Sequence, residues 1–396
     1  MHAEQLLHIW LLNVLPEMHG RRRSALGAAM TGVLFGGRLA VTALGRSLLG
    51  SAKTKHNIKR VDRLLSNKYL QSETTEIYRS LAHQFVGEQE QPIILVDWSD
   101  VDGRREFFLL RSSLAVRGRS ITLYEEVHGR ETKEKRSTHN QFLENLKKIL
   151  PEDCKAIIVT DAGFRNPWFK KVLELGWDFV GRVRNREMVK HPENTEWTGA
   201  KSLYKSATGK AKNIKETMLT RSNPLNCTLV LYKSKPKGRV LRGKLGKKKR
   251  NRTSLVNSQR AKEPWLLATS LSVTAKKVVT IYSARMQIEE SFRDLKCPRF
   301  GLGLYQNGTY KIERLRLLIL IGSLATAFAL LLGKATKLAG EDRQFQANTT
   351  TSTSVLSFVF IGIQVFRDWR MRLSLTLFRE AEKHIQFIAK GVLNAC

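Results

Sequence analysis

Two aspartates follow apolar runs of the kind that form buried strands. Asp97 is predicted to end the strand IILVDW and Asp161 to end the strand AIIVTD, so each carboxylate should emerge at the edge of a sheet. Open α/β sheets place their sites at such edges. One aspartate in this position is usually a cap or a turn residue, but two in the same context indicate a shared acidic site.

A third carboxylate comes from the segment IYSARMQIEESFRDLK, which is predicted to belong to one helix from about Thr280 to Lys296. At about 100° per residue, one stripe of this helix carries a carboxylate among cations and a tyrosine. The members of the stripe are Tyr282, Arg285, Glu289, Arg293 and Lys296. Glu290 falls off the stripe, which makes Glu289 the better ligand. A salt-bridged surface helix would show the same stripe, so the pattern alone leaves both interpretations open.

Two aspartates and a glutamate supply the oxygen ligands that hard divalent cations prefer. Two such ions about 3.5–4 Å apart can activate the attacking oxygen and stabilise the leaving oxygen of a phosphodiester. Nearby Arg and Lys side chains can bind the non-bridging oxygens. The sequence therefore predicts a site for two Mg²⁺ or Mn²⁺ ions at Asp97, Asp161 and Glu289.

The elements that must position these residues fall into three regions. Residues 1–88 are predicted to be helical, residues 89–300 alternate strands and helices, and residues 301–396 are again helical. The order of elements in the middle region resembles a ribonuclease-H-like α/β core. The core pattern stops between about residues 185 and 264, where 11 of the residues from Lys233 to Arg252 are Lys or Arg. We expect this basic stretch to be a loop that follows a phosphate backbone.

The charge balance indicates a polyanionic partner. The chain has 68 Lys and Arg against 35 Asp and Glu, a net charge of +33. Nucleic acid is favoured over an anionic membrane surface or a ribosomal partner. The segment KTKHNIKRVDRLLSN is predicted to form an amphipathic helix whose basic face, formed by Lys55, Lys59 and Arg63, contacts phosphates. A merely solvated charged face is the alternative.

Cysteine usage and hydropathy favour a cytoplasmic protein. The four cysteines are far apart in sequence, which favours neither a zinc site nor a disulfide framework. The N-terminus lacks the features of a signal peptide. The uncharged run Leu317–Gly333 reaches only the lower limit of a membrane span, so we expect a buried core or dimer helix and no membrane association.

The spacing Y-x-x-R-x-x-x-E-x-x-x-x-x-x-K, formed here by Tyr282, Arg285, Glu289 and Lys296, resembles the signature of transposases of the insertion sequence four family. Most of the chain is similar to the insertion sequence ten branch of that family. The similarity is clearest in LVDWSD, TKHNIKR, TDAGF, AKEPWLLAT and QIEESFRDLK.

The resemblance implies that Asp97, Asp161 and Glu289 are the metal-binding triad and that residues 185–264 are a β-rich insertion in the core. It further implies that Tyr282, Arg285 and Lys296 hold phosphates beside the transposon end. Trp265 matches the aromatic residue that takes up a flipped base during hairpin formation. A buried strand tryptophan is the alternative. Met286 stands where some relatives have a second aromatic residue, which puts a base contact there in doubt.

The resulting expectation is a bacterial, nucleoid-associated cut-and-paste transposase that acts as a homodimer on paired terminal inverted repeats and on target DNA. The N-terminal region is expected to bind the DNA ends and the C-terminal region to dimerise. Three alternatives remain open. They are a ribonuclease-H-like nuclease, a non-catalytic repressor derived from a transposase, and a tyrosine recombinase that uses Tyr282.

Overall fold

The computed structural model describes residues 1–36, 38–234, 263–299, 301–350 and 353–394. The chain divides into two compact units. Among the described residues, the first comprises Met1–Cys154 together with residues 286–394, and the second comprises those within Lys155–Arg285. These limits differ from the predicted functional boundaries near residues 88 and 300, which remain predictions. All but the first two residues of the basic stretch 233–252 lie outside the described residues.

The first unit begins with six helices. Their bounds are Ala3–Val14 (α1), Gly20–Gly36 (α2), Val41–Ser47 (α3), Thr54–Leu65 (α4), Lys68–Ser72 (α5) and Thr74–Val86 (α6). Helix α4 buries Val61, Leu64 and Leu65 against its neighbours, and its basic residues stay exposed. The burial pattern therefore agrees with the predicted amphipathic helix.

Helices α3 and α4 lie in close backbone contact. A Cβ atom at Gly45 would come within 2.5 Å of the Cα atom of Ile58. Only glycine permits this approach. At the C-terminal end of α4, the Arg314 guanidinium donates to Asp62 at 2.6 Å and to Ser66 at 2.7 Å. These contacts fix α4 within the first unit.

Three antiparallel strands follow in the first unit, Ile93–Asp100 (β1), Phe107–Leu114 (β2) and Ile121–Gly129 (β3). Strand β2 pairs with both of the others. Asp97 was expected at the end of its strand, and that expectation is wrong. Pairing with β2 continues to Asp100 opposite Phe108, so Asp97 lies inside β1.

Helices complete the first unit on both sides of these strands. They are Arg136–Ile149 (α7), Met286–Lys296 (α10), Ile312–Leu338 (α11), Phe358–Arg367 (α12) and Leu375–Asn394 (α13). Helix α10 packs on β1, and α11 packs against β3, α2, α12 and α13. Leucine, isoleucine and alanine cover nearly the whole surface of α11, which is typical of a helix buried on all sides.

Helix α11 contains the apolar run found in the sequence. It is long and apolar enough to cross a membrane, yet 89% of its most apolar window is buried inside the protein. Phe328 at its centre contacts the rings of Trp10, Phe366 and Phe378 at 5.7, 6.1 and 5.6 Å between centroids. The segment therefore forms the core of the first unit, as the sequence predicted.

The second unit contains the parallel pair Ile157–Thr160 (β4) and Asp178–Arg182 (β5) with the intervening helix Asn166–Glu174 (α8). Its other strands are Met188–Lys190 (β6), Thr198–Gly199 (β7), Lys212–Leu219 (β8), Leu225–Tyr232 (β9) and Trp265–Thr269 (β10). Strand β10 pairs antiparallel with β5 and with β9. Helix Ala275–Ser283 (α9) ends the unit.

The helix that was expected from Thr280 to Lys296 is in fact two helices, α9 and α10. The last turn of α9 tightens, because the amides of Ala284 and Arg285 donate to the carbonyls three residues earlier, at Ile281 and Tyr282. The predicted stripe is therefore interrupted. Tyr282 lies in α9, Arg285 lies in the turn, and Glu289, Arg293 and Lys296 lie in α10.

Candidate active site

In the first unit, Asp97 and the helix of Glu289 belong to one packed arrangement. Helix α10 lies on β1, the strand of Asp97. Asp97 is half-buried and its Oδ1 accepts from the backbone amide of Trp98 at 2.8 Å. Glu289 is exposed in the first turn of α10, where the helix dipole stabilises a negative charge. Both carboxylates are therefore open to solvent.

Lys296 connects the last turn of α10 to β1. Its Nζ donates to Ser99 Oγ at 2.8 Å and lies 3.7 Å from Asp100 Oδ1. Burial lowers the pKa of Lys296, while the charges of Asp100 and Asp97 raise it in part. The ammonium group of Lys296 is thus held on β1, the strand of Asp97.

Two residues that the sequence analysis missed surround Lys296. Tyr305 lies with its ring 5.3 Å from Lys296 Nζ and donates its hydroxyl to Asp100. The bond from Tyr305 and the charge of Lys296 lower the pKa of Asp100 against the opposing effect of burial. The position of Asp100 in the motif LVDWSD was the sequence feature that could have identified it. Tyr305 follows the signature segment, and no motif in the sequence marks it.

Glu290, the neighbour of Glu289 on α10, belongs to a group of ion pairs. Glu290 forms ion pairs with Arg293 and, at 3.8 Å, with Arg119. Arg119 also binds Asp294 at 2.5 Å. The Arg293 side chain remains 63% exposed despite its pair with Glu290. Glu290 is therefore engaged in local ion pairs, and the choice of Glu289 as the better ligand stays a prediction.

In the second unit, Asp161 directly follows β4, as the sequence predicted. Its Oδ1 accepts from the amide of Gly163 at 2.7 Å. A Cβ atom on Gly163 would come within 2.7 Å of the same oxygen, so a larger residue there would displace the Asp161 carboxylate from this position. Arg184 donates to the carbonyls of Ala162 and Gly163. These bonds define the backbone around Asp161.

An aromatic cluster also belongs to the second unit. The Trp265 ring is half-buried and contacts the rings of Tyr282 and Tyr232 edge to face, at 5.0 and 6.0 Å between centroids. The guanidinium of Arg285 lies 5.8 Å from the Tyr282 ring. Tyr282 is only 3% exposed and its pKa is raised by burial. Tyr282 here packs against Trp265, and its predicted phosphate contact stays a prediction.

The chemistry of the predicted ligand set fits a hard divalent cation, because all three side chains offer carboxylate oxygens. Within the described ranges, no group of three or more His, Cys, Asp or Glu side chains is gathered closely enough to hold a metal ion. Asp97 and Glu289 lie in the first unit and Asp161 in the second.

The predicted DNA-binding residues Lys55, Lys59 and Arg63 are exposed on α4.

Comparison with known proteins gives one assignment. A search of the curated proteins found no match. The family model described as the transposase DDE domain matches residues 88–322, which is more than half of the chain. This range contains Asp97, Asp161 and Glu289. Domains of this family are ribonuclease-H-like, in agreement with the mixed α/β fold, and generally use divalent metal ions. The chain therefore belongs to the DDE transposase family.

Proposed function

We propose that this transposase is a cut-and-paste enzyme of the insertion sequence four family, closest to the insertion sequence ten branch. Water first nicks one strand at the transposon end, and the freed 3′-OH attacks the opposite strand to close a hairpin. A second water opens the hairpin, and the 3′-OH then attacks target DNA. One active site carries out all four steps.

The observation that carries this proposal is the position of Lys296. The last cation of the signature is bonded to Ser99 and Asp100 on the strand of Asp97. Helix α10, which carries Glu289 and Lys296 of the signature, and the strand of Asp97 are thereby joined within one unit. If α10 were a surface helix with salt bridges unrelated to the site, no contact between its last lysine and the strand of Asp97 would be expected.

Each predicted site residue has a role in the proposed reaction. Asp97, Asp161 and Glu289 would hold two Mg²⁺ or Mn²⁺ ions, which when bound activate the attacking oxygen and stabilise the leaving oxygen. Lys296 neutralises a phosphate of the strand being cut, because its ammonium group is already held in place. The other predicted phosphate ligands are Arg285, Arg293 and Tyr282.

Trp265 is the proposed stacking partner of a flipped base. Its ring is half-buried in an edge-to-face cluster, so part of its surface is available to a base. An edge-to-face neighbour such as Tyr282 holds the tryptophan ring in one orientation. Impaired hairpin formation in Trp265→Ala would separate this role from simple core packing.

DNA recognition is proposed to involve the N-terminal helices and a homodimer. The exposed Lys55, Lys59 and Arg63 side chains on α4 form a basic face that fits a phosphate backbone. Residues 301–396 would provide the dimer contacts in the synaptic complex. We place this activity in the bacterial cytoplasm, at the nucleoid.

The experiment that tests the proposal compares two neighbouring glutamates on α10. Cleavage of a labelled duplex that carries the element's terminal repeat is measured on a denaturing gel with Mg²⁺, with Mn²⁺ and with chelator. Glu289→Gln should abolish nicks and hairpins, whereas Glu290→Gln, which loses only the ion pairs with Arg119 and Arg293, should retain them. Equal activity of both variants would remove Glu289 from the reaction.

The same experiment separates the alternatives. A ribonuclease-H-like nuclease would give nicks without hairpins or joined products. A transposase-derived repressor would bind the repeat and leave it uncut with either metal. Recombination through Tyr282 would be indifferent to chelator and would leave protein covalently attached to DNA.

A further inference from the structure

A row of charged side chains crosses the three strands of the first unit. Asp97 on β1 lies directly opposite Arg111 on β2, and Arg111 lies directly opposite Glu125 on β3. Side chains that face each other across antiparallel strands project from the same side of the sheet. Asp97, Arg111 and Glu125 therefore form one continuous row, with Arg111 in the middle.

The inner part of this row is sealed from water. The Arg111 and Glu125 side chains are 3% and 2% exposed and form an ion pair at 2.7 Å. Glu125 also accepts from the hydroxyls of Tyr78 at 2.9 Å and Ser323 at 2.7 Å. The Phe292 ring, on the helix of Glu289, lies 5.1 Å from the Arg111 guanidinium. Glu125 is thus excluded as a metal ligand although it shares the row with Asp97.

Because Arg111 and Glu125 are buried, their charges act on the neighbouring Asp97 carboxylate with little screening by water. A guanidinium stays protonated when buried. Its field is weakly screened in the interior, so it would oppose a divalent ion on the neighbouring aspartate unless a second charge cancelled it. Arg111 is the direct cross-strand partner of Asp97, so its guanidinium projects from the same face of the sheet as the Asp97 carboxylate. The positive charge of Arg111 therefore opposes a cation bound by the Asp97 carboxylate.

We infer that Arg111 and Glu125 are positioning residues that set the affinity of Asp97 for its divalent ion, Glu125 by cancelling the positive charge of Arg111. This inference rests on the proposed role of Asp97 as a metal ligand. A pair that served only to stabilise the fold would change metal binding in the same direction whichever partner was altered. A pair that sets the local charge must change it in opposite directions.

The test is a titration of the full chain with Mn²⁺ in the absence of DNA, followed by the enhancement of water-proton relaxation. Glu125→Gln keeps the hydrogen bonds from Tyr78 and Ser323 and leaves Arg111 uncancelled. We expect it to weaken Mn²⁺ binding by roughly tenfold or more, as a nearby unit charge would at an effective dielectric constant of about 20. Arg111→Gln should bind Mn²⁺ more tightly than the wild type, and the double variant should fall between the two.

Glu126→Gln is the matched control. It removes one carboxylate from the same strand but from the opposite face, where Glu126 accepts from Tyr124 and Asn145 and bonds to His128. Its Mn²⁺ affinity should stay within about twofold of the wild type, because its charge lies across the sheet from Asp97. Thermal unfolding of each variant shows whether it is folded, and the direction of the shift in a folded Arg111→Gln variant is the deciding result, because a purely structural pair predicts weaker binding there.

The outcomes separate this inference from the proposed function. Opposite shifts in Glu125→Gln and Arg111→Gln support the inference. Shifts in the same direction, or none, overturn it while the metal site stands, provided that Asp97→Asn weakens Mn²⁺ binding. If the wild type binds no Mn²⁺, or if Asp97→Asn binds as well as the wild type, both the metal role of Asp97 and the inference fail.

Discussion

Replacement of Phe328 by alanine tests the assignment of α11 as the core of the first unit. Phe328 is fully buried and its ring contacts those of Trp10, Phe366 and Phe378. Removal of the ring would forfeit its burial and leave a cavity among three aromatic neighbours that cannot close. Changes of this kind cost about 3–5 kcal/mol of unfolding free energy. We expect Phe328→Ala to lose that amount.

The assay is equilibrium unfolding in urea, followed by tryptophan fluorescence. The midpoint should fall while the slope of free energy against urea stays unchanged, because the surface exposed on unfolding is nearly the same. Phe387→Ala is the matched control, since Phe387 is 72% exposed on α13. It should change stability by less than about 0.5 kcal/mol. A loss below about 1 kcal/mol in Phe328→Ala would refute the reasoning.

Three further predictions concern DNA binding, pH and the hairpin. The combined variant Lys55→Ala, Lys59→Ala and Arg63→Ala should weaken binding to the terminal repeat and lower the slope of log affinity against log salt by up to about 3, measured by titration at several salt concentrations. Burial lowers the pKa of His139 to about 4 from an ordinary 6.5, so the unfolded chain binds more protons between these values and stability should fall as the pH drops through this window. His139→Gln should flatten that dependence in urea unfolding. Trp265→Ala should nick the repeat normally and form fewer hairpins on a denaturing gel.

Each of these predictions can be contradicted. An unchanged salt slope in the triple variant would remove α4 from the DNA interface. A His139→Gln variant whose stability still falls as the wild type's does would place the titrating group elsewhere. Normal hairpins in Trp265→Ala would leave that residue with a packing role only.

Much of the fold follows from local sequence patterns. The apolar runs around Asp97 and Asp161 became β1 and β4, and the long apolar run became the buried helix α11. These succeed because burial of a whole face or of a whole helix leaves a strong local signal. The break between α9 and α10 was missed, since SARMQ contains neither glycine nor proline.

The site was predictable to the extent that its residues carry motifs. Glu289 and Lys296 were proposed as site residues from their spacing, but the bonds from Lys296 to Ser99 and Asp100 join residues nearly 200 positions apart and leave no local trace. Arg111 had a weak signal as a lone cation in the apolar strand FFLLRSSL. Its pairing with Glu125 became visible only once the strand register was known.

The most direct test of the central claim is strand transfer. The purified chain is incubated with a terminal-repeat duplex that ends in a free 3′-OH, with a supercoiled target plasmid and with Mg²⁺ or Mn²⁺. We predict covalent joining of the 3′ end to the plasmid, its loss with chelator and its loss in Glu289→Gln. Binding or hydrolysis of the duplex without any joined product under either metal would contradict the assignment as a cut-and-paste transposase.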